Sequence, residues 1–122
     1  MNTSASKLAV ALVGASIVAL MSGCAPTVTV VGTWGDAAVS TEPSLELSKS
    51  GKLTGTDGCN RLVGEYEASG NTITFKQVAS TMMFCEQIDT WLSRLDSATV
   101  SGDTMTVFDA NSQEIGTLDR TE

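Results

Sequence analysis

The chain contains no histidine and few basic residues, and these two shortages exclude several classes of function. Its 122 residues include 7 Lys and Arg against 14 Asp and Glu, which gives a formal net charge of −7 at pH 7. Without histidine, neither a Cys–His pair nor a Ser–His–Asp triad can form. Proteins that bind nucleic acid neutralise its phosphates with a basic face. The acidic balance therefore argues against DNA or RNA as a partner.

The chain also has no apolar run of the length that a membrane-spanning helix needs. The run over residues 8–21 has 14 residues, whereas a spanning helix uses about 20. It follows Lys7 and precedes small residues, as the apolar region of a secretory signal peptide does. We predict that residues 1–23 are a signal peptide. Residues 8–21 are expected to form a helix that packs on nothing.

The residues Met21-Ser22-Gly23-Cys24 resemble a bacterial lipobox, with Met21 where leucine is usual. If cleavage falls before Cys24, this cysteine becomes the lipidated amino terminus, and residues 24–30 become a tether. Several acyl chains on one residue give stable anchoring. The alternative is an ordinary signal peptide that leaves Cys24 free. We expect an exported protein, anchored by lipid to the cell membrane or outer membrane and facing the periplasm or the exterior.

Two further cysteines, Cys59 and Cys85, form an even pair in a compartment that favours disulfides. We predict that they are joined, with Cα atoms about 4.4–6.8 Å apart. The alternative is a nucleophilic Cys59, which would need a base or a positive neighbour to lower its thiol pKa. The nearest positive charge in the sequence is Arg61. A disulfide that braces a small domain is the favoured interpretation.

A metal site or an acid–base site would have to use the remaining polar and sulfur side chains. Zinc needs four N, S or O ligands, and two isolated cysteines without histidine do not supply them. Copper(I) could use the sulfurs of Met82, Met83 and Cys85, although apolar residues flanking a buried disulfide explain the two methionines more simply. Glu65 and Glu67 share one face of a strand and are expected to face solvent. We predict no metal, no cofactor and no catalytic residue.

Apolar and polar residues alternate over most of the exported part, which predicts β-strands. The predicted strands are residues 28–34, 44–48, 52–55, 62–67, 72–76, 99–101, 104–108 and 114–118. One segment differs, because four apolar residues recur at helical spacing: Ile88, Trp91, Leu92 and Leu95. This stripe predicts a helix over residues 86–97. The expected fold is mainly β (α+β): a curled antiparallel sheet or partly open barrel of about seven to eight short strands, with one helix packed on it.

Several residues of this region form a recognisable motif: Gly58-Cys59-Asn60, Gly64 with Tyr66, and Thr81 with Cys85. With these residues the chain resembles the META domain of the HslJ-like family, over residues 31–122. The resemblance implies a compact β-rich fold with one helix, often behind a lipoprotein signal. It also implies association with heat-shock induction, novobiocin resistance, and virulence or secretion. It supplies no catalytic residues, and Met82 stands where many members have arginine.

These observations predict a non-enzymatic, lipid-anchored protein of the cell envelope. Its domain would act as a binding or structural module in envelope maintenance, stress tolerance or antibiotic resistance. The expected partners are the membrane, through the lipid, and an unknown envelope protein or small ligand. The alternative is a lipoprotein that handles a small ligand or copper at the barrel mouth or at Met82-Met83-Phe84.

Overall fold

The computed structural model describes residues 29–122, which form one eight-stranded antiparallel sheet. Each strand pairs with the strand before it in the sequence. The strands are β1 (Gly32–Gly35), β2 (Ser44–Leu47), β3 (Lys52–Thr56), β4 (Arg61–Ser69), β5 (Thr72–Ser80), β6 (Ser97–Ser101), β7 (Thr104–Phe108) and β8 (Glu114–Asp119). The predicted mainly β architecture with seven to eight antiparallel strands is confirmed.

The first and last strands approach each other, so the sheet is nearly closed into a barrel. Trp34 of β1 forms an isolated antiparallel bridge with Arg120, just after β8. The Thr33 N–H donates to the Glu122 carbonyl at 2.8 Å, and the Thr121 N–H donates to the Thr33 carbonyl at 2.9 Å. Closure satisfies backbone groups that two free edge strands would otherwise expose.

The chain before β1 is held against the same seam. The guanidinium of Arg120 lies over the Trp34 ring, 4.2 Å from its centroid, and donates hydrogen bonds to the carbonyls of Thr29 and Val31. The Trp34 indole N–H donates to the Val30 carbonyl at 2.9 Å. Thr29, the first described residue, is therefore fixed on the barrel wall.

The barrel interior is filled by the inward-facing residue of each alternating pair. In β2 and β7 the buried apolar residues are Leu45 and Leu47, and Met105 and Val107, while Glu46 between the first pair is exposed. Trp34 is fully buried among them. The period-two pattern of the sequence therefore selects which face of the sheet forms the core.

The pairing of β4 with β5 is interrupted by a bulge at Gly64. The register shifts between Val63 and Glu65, and Gln77 on the opposite strand has a φ of 51°. A Cβ at Gly64 would lie 2.8 Å from the Val78 Cα. The close approach of two backbones therefore requires glycine at this position.

The helix predicted over residues 86–97 is wrong: the structure has a single 3₁₀ turn there, Trp91–Arg94. Gln87 adopts a φ of 61°, which an α-helix cannot contain. At the other end, Asp96 already forms strand-type hydrogen bonds: its N–H donates to Phe108 at 2.9 Å, and its carbonyl accepts from Phe75 at 3.0 Å. Of the eight residues between these points, 88–95, only Trp91–Arg94 form a helical turn.

The apolar stripe that suggested the helix is nevertheless used for packing. Leu92 is fully buried, and Trp91 and Leu95 pack against the core. The Trp91 ring covers Gly116 of β8, where a Cβ would lie 2.6 Å from the ring. The stripe therefore closes one side of the barrel through a single 3₁₀ turn in place of an α-helix.

Residues 29–122 contain no helix of the length and hydrophobicity that crossing a membrane requires. The predicted signal peptide, the helix over residues 8–21 and the lipidated Cys24 lie outside the described residues.

Candidate functional site

Three of the motif residues and both remaining cysteines meet at one end of the barrel. Here the turn between β3 and β4, residues 57–60, lies against the segment that follows β5, residues 81–85. A disulfide joins Cys59 to Cys85 with a Cα–Cα distance of 5.9 Å, inside the predicted range. We call this meeting of the two segments the brace.

The first half of the brace is a tight turn built around Asp57, which is fully buried. Its Oδ1 accepts a hydrogen bond from the Cys59 N–H at 2.9 Å and another from the Asn60 N–H. Gly58 has a φ of 96°, and a Cβ there would lie 2.6 Å from the Thr41 carbonyl oxygen. Only glycine fits this position, and the turn therefore presents Cys59 and Asn60 in a fixed orientation.

The side-chain amide of Asn60 joins the two segments by forming the two backbone hydrogen bonds that a neighbouring strand would otherwise form. Its Oδ1 accepts from the Met83 N–H at 2.6 Å, and its Nδ2 donates to the Met83 carbonyl at 3.2 Å. The same Oδ1 accepts from the Thr81 hydroxyl at 3.1 Å. One amide therefore satisfies both backbone polar groups of Met83, which no strand pairs.

Thr81 continues the pairing of β4 with β5 for one more residue. Its N–H donates to the Arg61 carbonyl at 3.2 Å, and its hydroxyl oxygen accepts from the Arg61 N–H at 3.0 Å. The hydroxyl thus links the sheet to Asn60. Gly58, Asn60 and Thr81 of the motif are brought together here, with the disulfide.

The other two motif residues, Gly64 and Tyr66, lie on the barrel wall. The Tyr66 hydroxyl donates to the Ser48 carbonyl across the sheet. Burial raises the pKa of Tyr66 above its ordinary value of 10.0. Gly64 and Tyr66 shape the barrel and take no part in the brace.

The brace holds an exposed apolar segment, Met82–Phe84, which we call the tip. The exposed fractions are 93% for Met82, 60% for Met83 and 89% for Phe84. The expectation that these methionines pack around a buried disulfide is therefore wrong: Cys59 and Cys85 are only partly buried, and the tip points outward. Three adjacent large apolar side chains in solvent are unusual enough to mark a contact surface.

An open groove of about 530 Å³ begins beside the tip. Its walls are built mainly of small and hydroxyl side chains, and its charged residues are Glu46 and Arg61. The lining residues are Thr33, Ala37, Ser40, Ser44, Leu45, Glu46, Thr54, Gly55, Thr56, Cys59, Arg61, Thr81 and Met83. The groove is within the size range of small-molecule sites.

The predicted alternatives for metal find little support in this arrangement. Cys85 is bonded to Cys59, so its thiolate is not available to copper. Within residues 29–122, no three Cys, Asp or Glu side chains cluster as ligands would.

The exposure of the tip was not predicted from the sequence, although Met82-Met83-Phe84 was named there as an alternative site. Hydropathy assigns Met82–Phe84 to the interior, because a run without polar residues carries no loop signal. A usable signal was present in the flanks, since Thr81 and Cys85 tie down both ends of the apolar run.

Comparisons with known proteins agree with this fold. The family model of the META domain matches residues 26–122. A protein from Burkholderia xenovorans, solved by NMR, is similar in structure with a TM-score of 0.51 and 21% sequence identity; the similarity covers 75% of this chain and 79% of that one. At this identity the likeness concerns the fold alone. None of the curated proteins matches the chain significantly.

Proposed function

Because the chain belongs to the META domain family, we propose that it is a non-enzymatic, lipid-anchored protein of the cell envelope whose barrel binds a partner. The binding surface is the groove together with the tip. The biological setting is envelope maintenance under stress, including exposure to antibiotics, as the family resemblance implies.

This proposal rests on the number of bonds that hold the exposed tip in one conformation. A disulfide and an asparagine with three side-chain hydrogen bonds fix residues 81–85, and a buried aspartate fixes the turn that carries Cys59 and Asn60. Exposed apolar side chains gain nothing from this fixation within the monomer. A contact surface that is already ordered binds its partner with higher affinity, because less conformational entropy is lost on association.

The groove supports a small ligand as the second candidate for the partner. Its lining combines hydroxyl groups with one carboxylate, that of Glu46, and one guanidinium, that of Arg61, and convergent polar groups of this kind orient small ligands. Copper has no comparable support, since the disulfide removes its best sulfur donor.

The anchor is tested by metabolic labelling with a palmitate analogue. The wild type is expected to incorporate the label, and Cys24→Ala is expected to lose it and to remain an uncleaved precursor. The matched control is Cys59→Ala/Cys85→Ala, which changes the other two cysteines and should keep the label. Incorporation that survives Cys24→Ala would contradict the anchor.

The binding surface is tested with two matched substitutions at exposed alanines. Ala37→Trp places an indole in the groove, and Ala110→Trp places one in the turn before β8. Crosslinking in intact cells and native mass spectrometry should show a partner protein or a bound small molecule that Ala37→Trp loses and Ala110→Trp keeps. Equal effects of the two substitutions would contradict the assignment of the groove.

A further inference from the structure

The groove contains two charged side chains that take part in no ion pair of the described chain. Two cross-strand ion pairs lie on the outer face of β3, β4 and β5: Lys52 with Glu65 at 3.0 Å, and Lys76 with Glu67 at 2.9 Å. Glu46 and Arg61 are on the same outer face and line the groove, but neither belongs to an ion pair within residues 29–122. One negative and one positive charge are therefore available to a ligand.

The floor of the groove also contains hydroxyl groups without a hydrogen-bond partner. Ser44 is 5% exposed and lies two residues from Glu46 on the same face of β2, so its hydroxyl opens into the groove. Thr33 and Thr54 are opposite Glu46 in the two neighbouring strands, and in the part of the chain that the structure describes none of these three hydroxyls forms a hydrogen bond. A buried hydroxyl without a partner costs free energy. A ligand with hydrogen-bonding groups would remove that cost.

We propose that the groove binds a short peptide with free termini, whose ammonium group contacts Glu46 and whose carboxylate contacts Arg61. The hydroxyls of the floor lie beside these two residues and hydrogen-bond the backbone of the peptide. The inference rests on the proposed function, because it names the chemical class of the small ligand in the groove.

The strand register sets the distance between the two charges. Ser44 is opposite Thr56, and Thr56 is opposite Arg61, so Arg61 is two strands and two residues away from Glu46. Strand spacings of about 4.8 Å and a rise of about 3.4 Å per residue place the Cα atoms of Glu46 and Arg61 about 12 Å apart.

This distance favours a peptide over a single amino acid. With upright side chains and an ionic contact of about 3 Å at each end, about 6 Å remains for the ligand. The charged ends of an extended dipeptide are about 6 Å apart, whereas those of a single amino acid are about 2.5 Å apart. A peptide of two or three residues therefore reaches both Glu46 and Arg61.

The overall charge of the chain favours a zwitterion over a ligand of one sign. Residues 24–122 contain 6 basic and 14 acidic side chains, so the chain as a whole repels an anion. A cation is attracted by the chain, but Arg61 within the groove repels it and keeps its guanidinium unpaired. A zwitterion pairs with both charges of the groove and carries no net charge.

Apolar groups beside the floor accept peptide side chains of different shapes. Ala37 and Met83 line the groove, and the Met83 side chain is flexible and 60% exposed. The groove therefore selects its ligand by the charged ends and the length, and it selects only weakly among side chains.

The test is an NMR titration of the protein, purified in detergent, with dialanine, N-acetyl-dialanine and dialanine amide. Dialanine should shift the amide signals of Ser44 and Thr54 in a saturable way, and it should leave those of Thr72 and Thr104, at the other end of the barrel, in place. Each derivative lacks one terminal charge and should bind about fivefold more weakly, as the loss of one ion pair implies. Alanine should also bind about fivefold more weakly, because it reaches only one of the two charges.

Two substitutions assign each end of the peptide to its residue. Arg61→Gln should abolish the difference in affinity between dialanine and its amide and should keep the effect of acetylation, whereas Glu46→Gln should do the reverse. The matched controls are Arg94→Gln and Glu114→Gln, which change exposed residues outside the groove and should keep the affinities of the wild type. A role of Glu46 or Arg61 in folding alone would not separate the two ends of the ligand.

Other outcomes separate failure of this inference from failure of the proposed function. Equal affinities for the three ligands, no saturable shift, or shifts at Thr72 and Thr104 as large as those at Ser44 overturn the peptide site. If in that case Ala37→Trp still loses the cellular partner that Ala110→Trp keeps, the groove binds a ligand of another chemical class and the proposed function stands. If the two tryptophan substitutions act equally, both are refuted.

Discussion

Removing the disulfide should cost the domain a large part of its stability, and the structure gives the size of the effect. Cys59 and Cys85 are 26 residues apart. The chain-entropy model assigns about 3.5 kcal/mol to a loop of that length, through restriction of the unfolded chain. A domain of this size has a total free energy of unfolding of about 5–14 kcal/mol. The double variant Cys59→Ala/Cys85→Ala should therefore be folded but marginal.

Urea unfolding of residues 25–122, which omit Cys24, measures this effect. Trp34 is buried in the core and Trp91 is partly buried beside β8, so tryptophan fluorescence reports on both sides of the barrel. With an m-value of about 1 kcal/mol per M, the midpoint should fall by about 3.5 M. The m-value of the variant should rise, because an unfolded chain without the crosslink exposes more surface.

A decrease of less than about 1 kcal/mol in the free energy of unfolding would refute the entropic reasoning. It would mean that crosslinking residues 26 positions apart restricts the unfolded chain very little. A loss of the expected size with an unchanged m-value would place the effect in the folded state instead. The Asn60 bonds to Met83 would then depend on the disulfide for their alignment.

Three further predictions concern hydrogen bonding, packing and ionisation. Asn60→Ala should lower the free energy of unfolding by about 2–3 kcal/mol, because three side-chain hydrogen bonds of about 1 kcal/mol each are lost; urea unfolding measures it, and proteolysis near Met83 should accelerate. Gly116→Ala should cost about 1–3 kcal/mol and shift the Trp91 emission to longer wavelength, since the new Cβ would lie 2.6 Å from the ring. Tyr66 is the only tyrosine, so phenolate absorbance should titrate above pH 10.0, because burial raises the pKa of Tyr66.

The sign of the Tyr66 effect on stability follows from linkage. A folded-state pKa above the unfolded value means that the folded protein holds its proton more tightly. Stability from this group is therefore complete below pH 10.0 and declines as the pH rises through the higher folded pKa. Tyr66→Phe should remove that decline, and a decline that persists in the variant would assign it to other groups.

The barrel was predictable from the sequence because strand periodicity and burial coincide in it. Leu45 and Leu47 alternate with exposed Glu46, and Met105 and Val107 are likewise on one face. Each hairpin also joins neighbours in the sheet, so local pairing is sufficient to give the topology.

The segment between β5 and β6 was not predictable in the same way, because long-range bonds decide its conformation. Its helical spacing is real, but Gln87 has a positive φ, and the backbone of Asp96 pairs with Phe75 and Phe108 across the barrel. Cys85 is also held by Cys59. Differences in intrinsic helix propensity amount to a few tenths of a kcal/mol per residue, which is small compared with these long-range bonds.

Long-range bonds also explain why the tip is exposed although its residues are apolar. Met82–Phe84 follows a strand that ends at Ser80 and precedes a cysteine bonded to another loop, so the chain has no freedom to fold these side chains inward. If the brace existed only to stabilise the barrel, polar residues at 82–84 would serve equally well and would avoid exposed apolar surface. Apolar residues at this position therefore support the proposal that the brace presents the tip as a contact surface, besides stabilising the barrel.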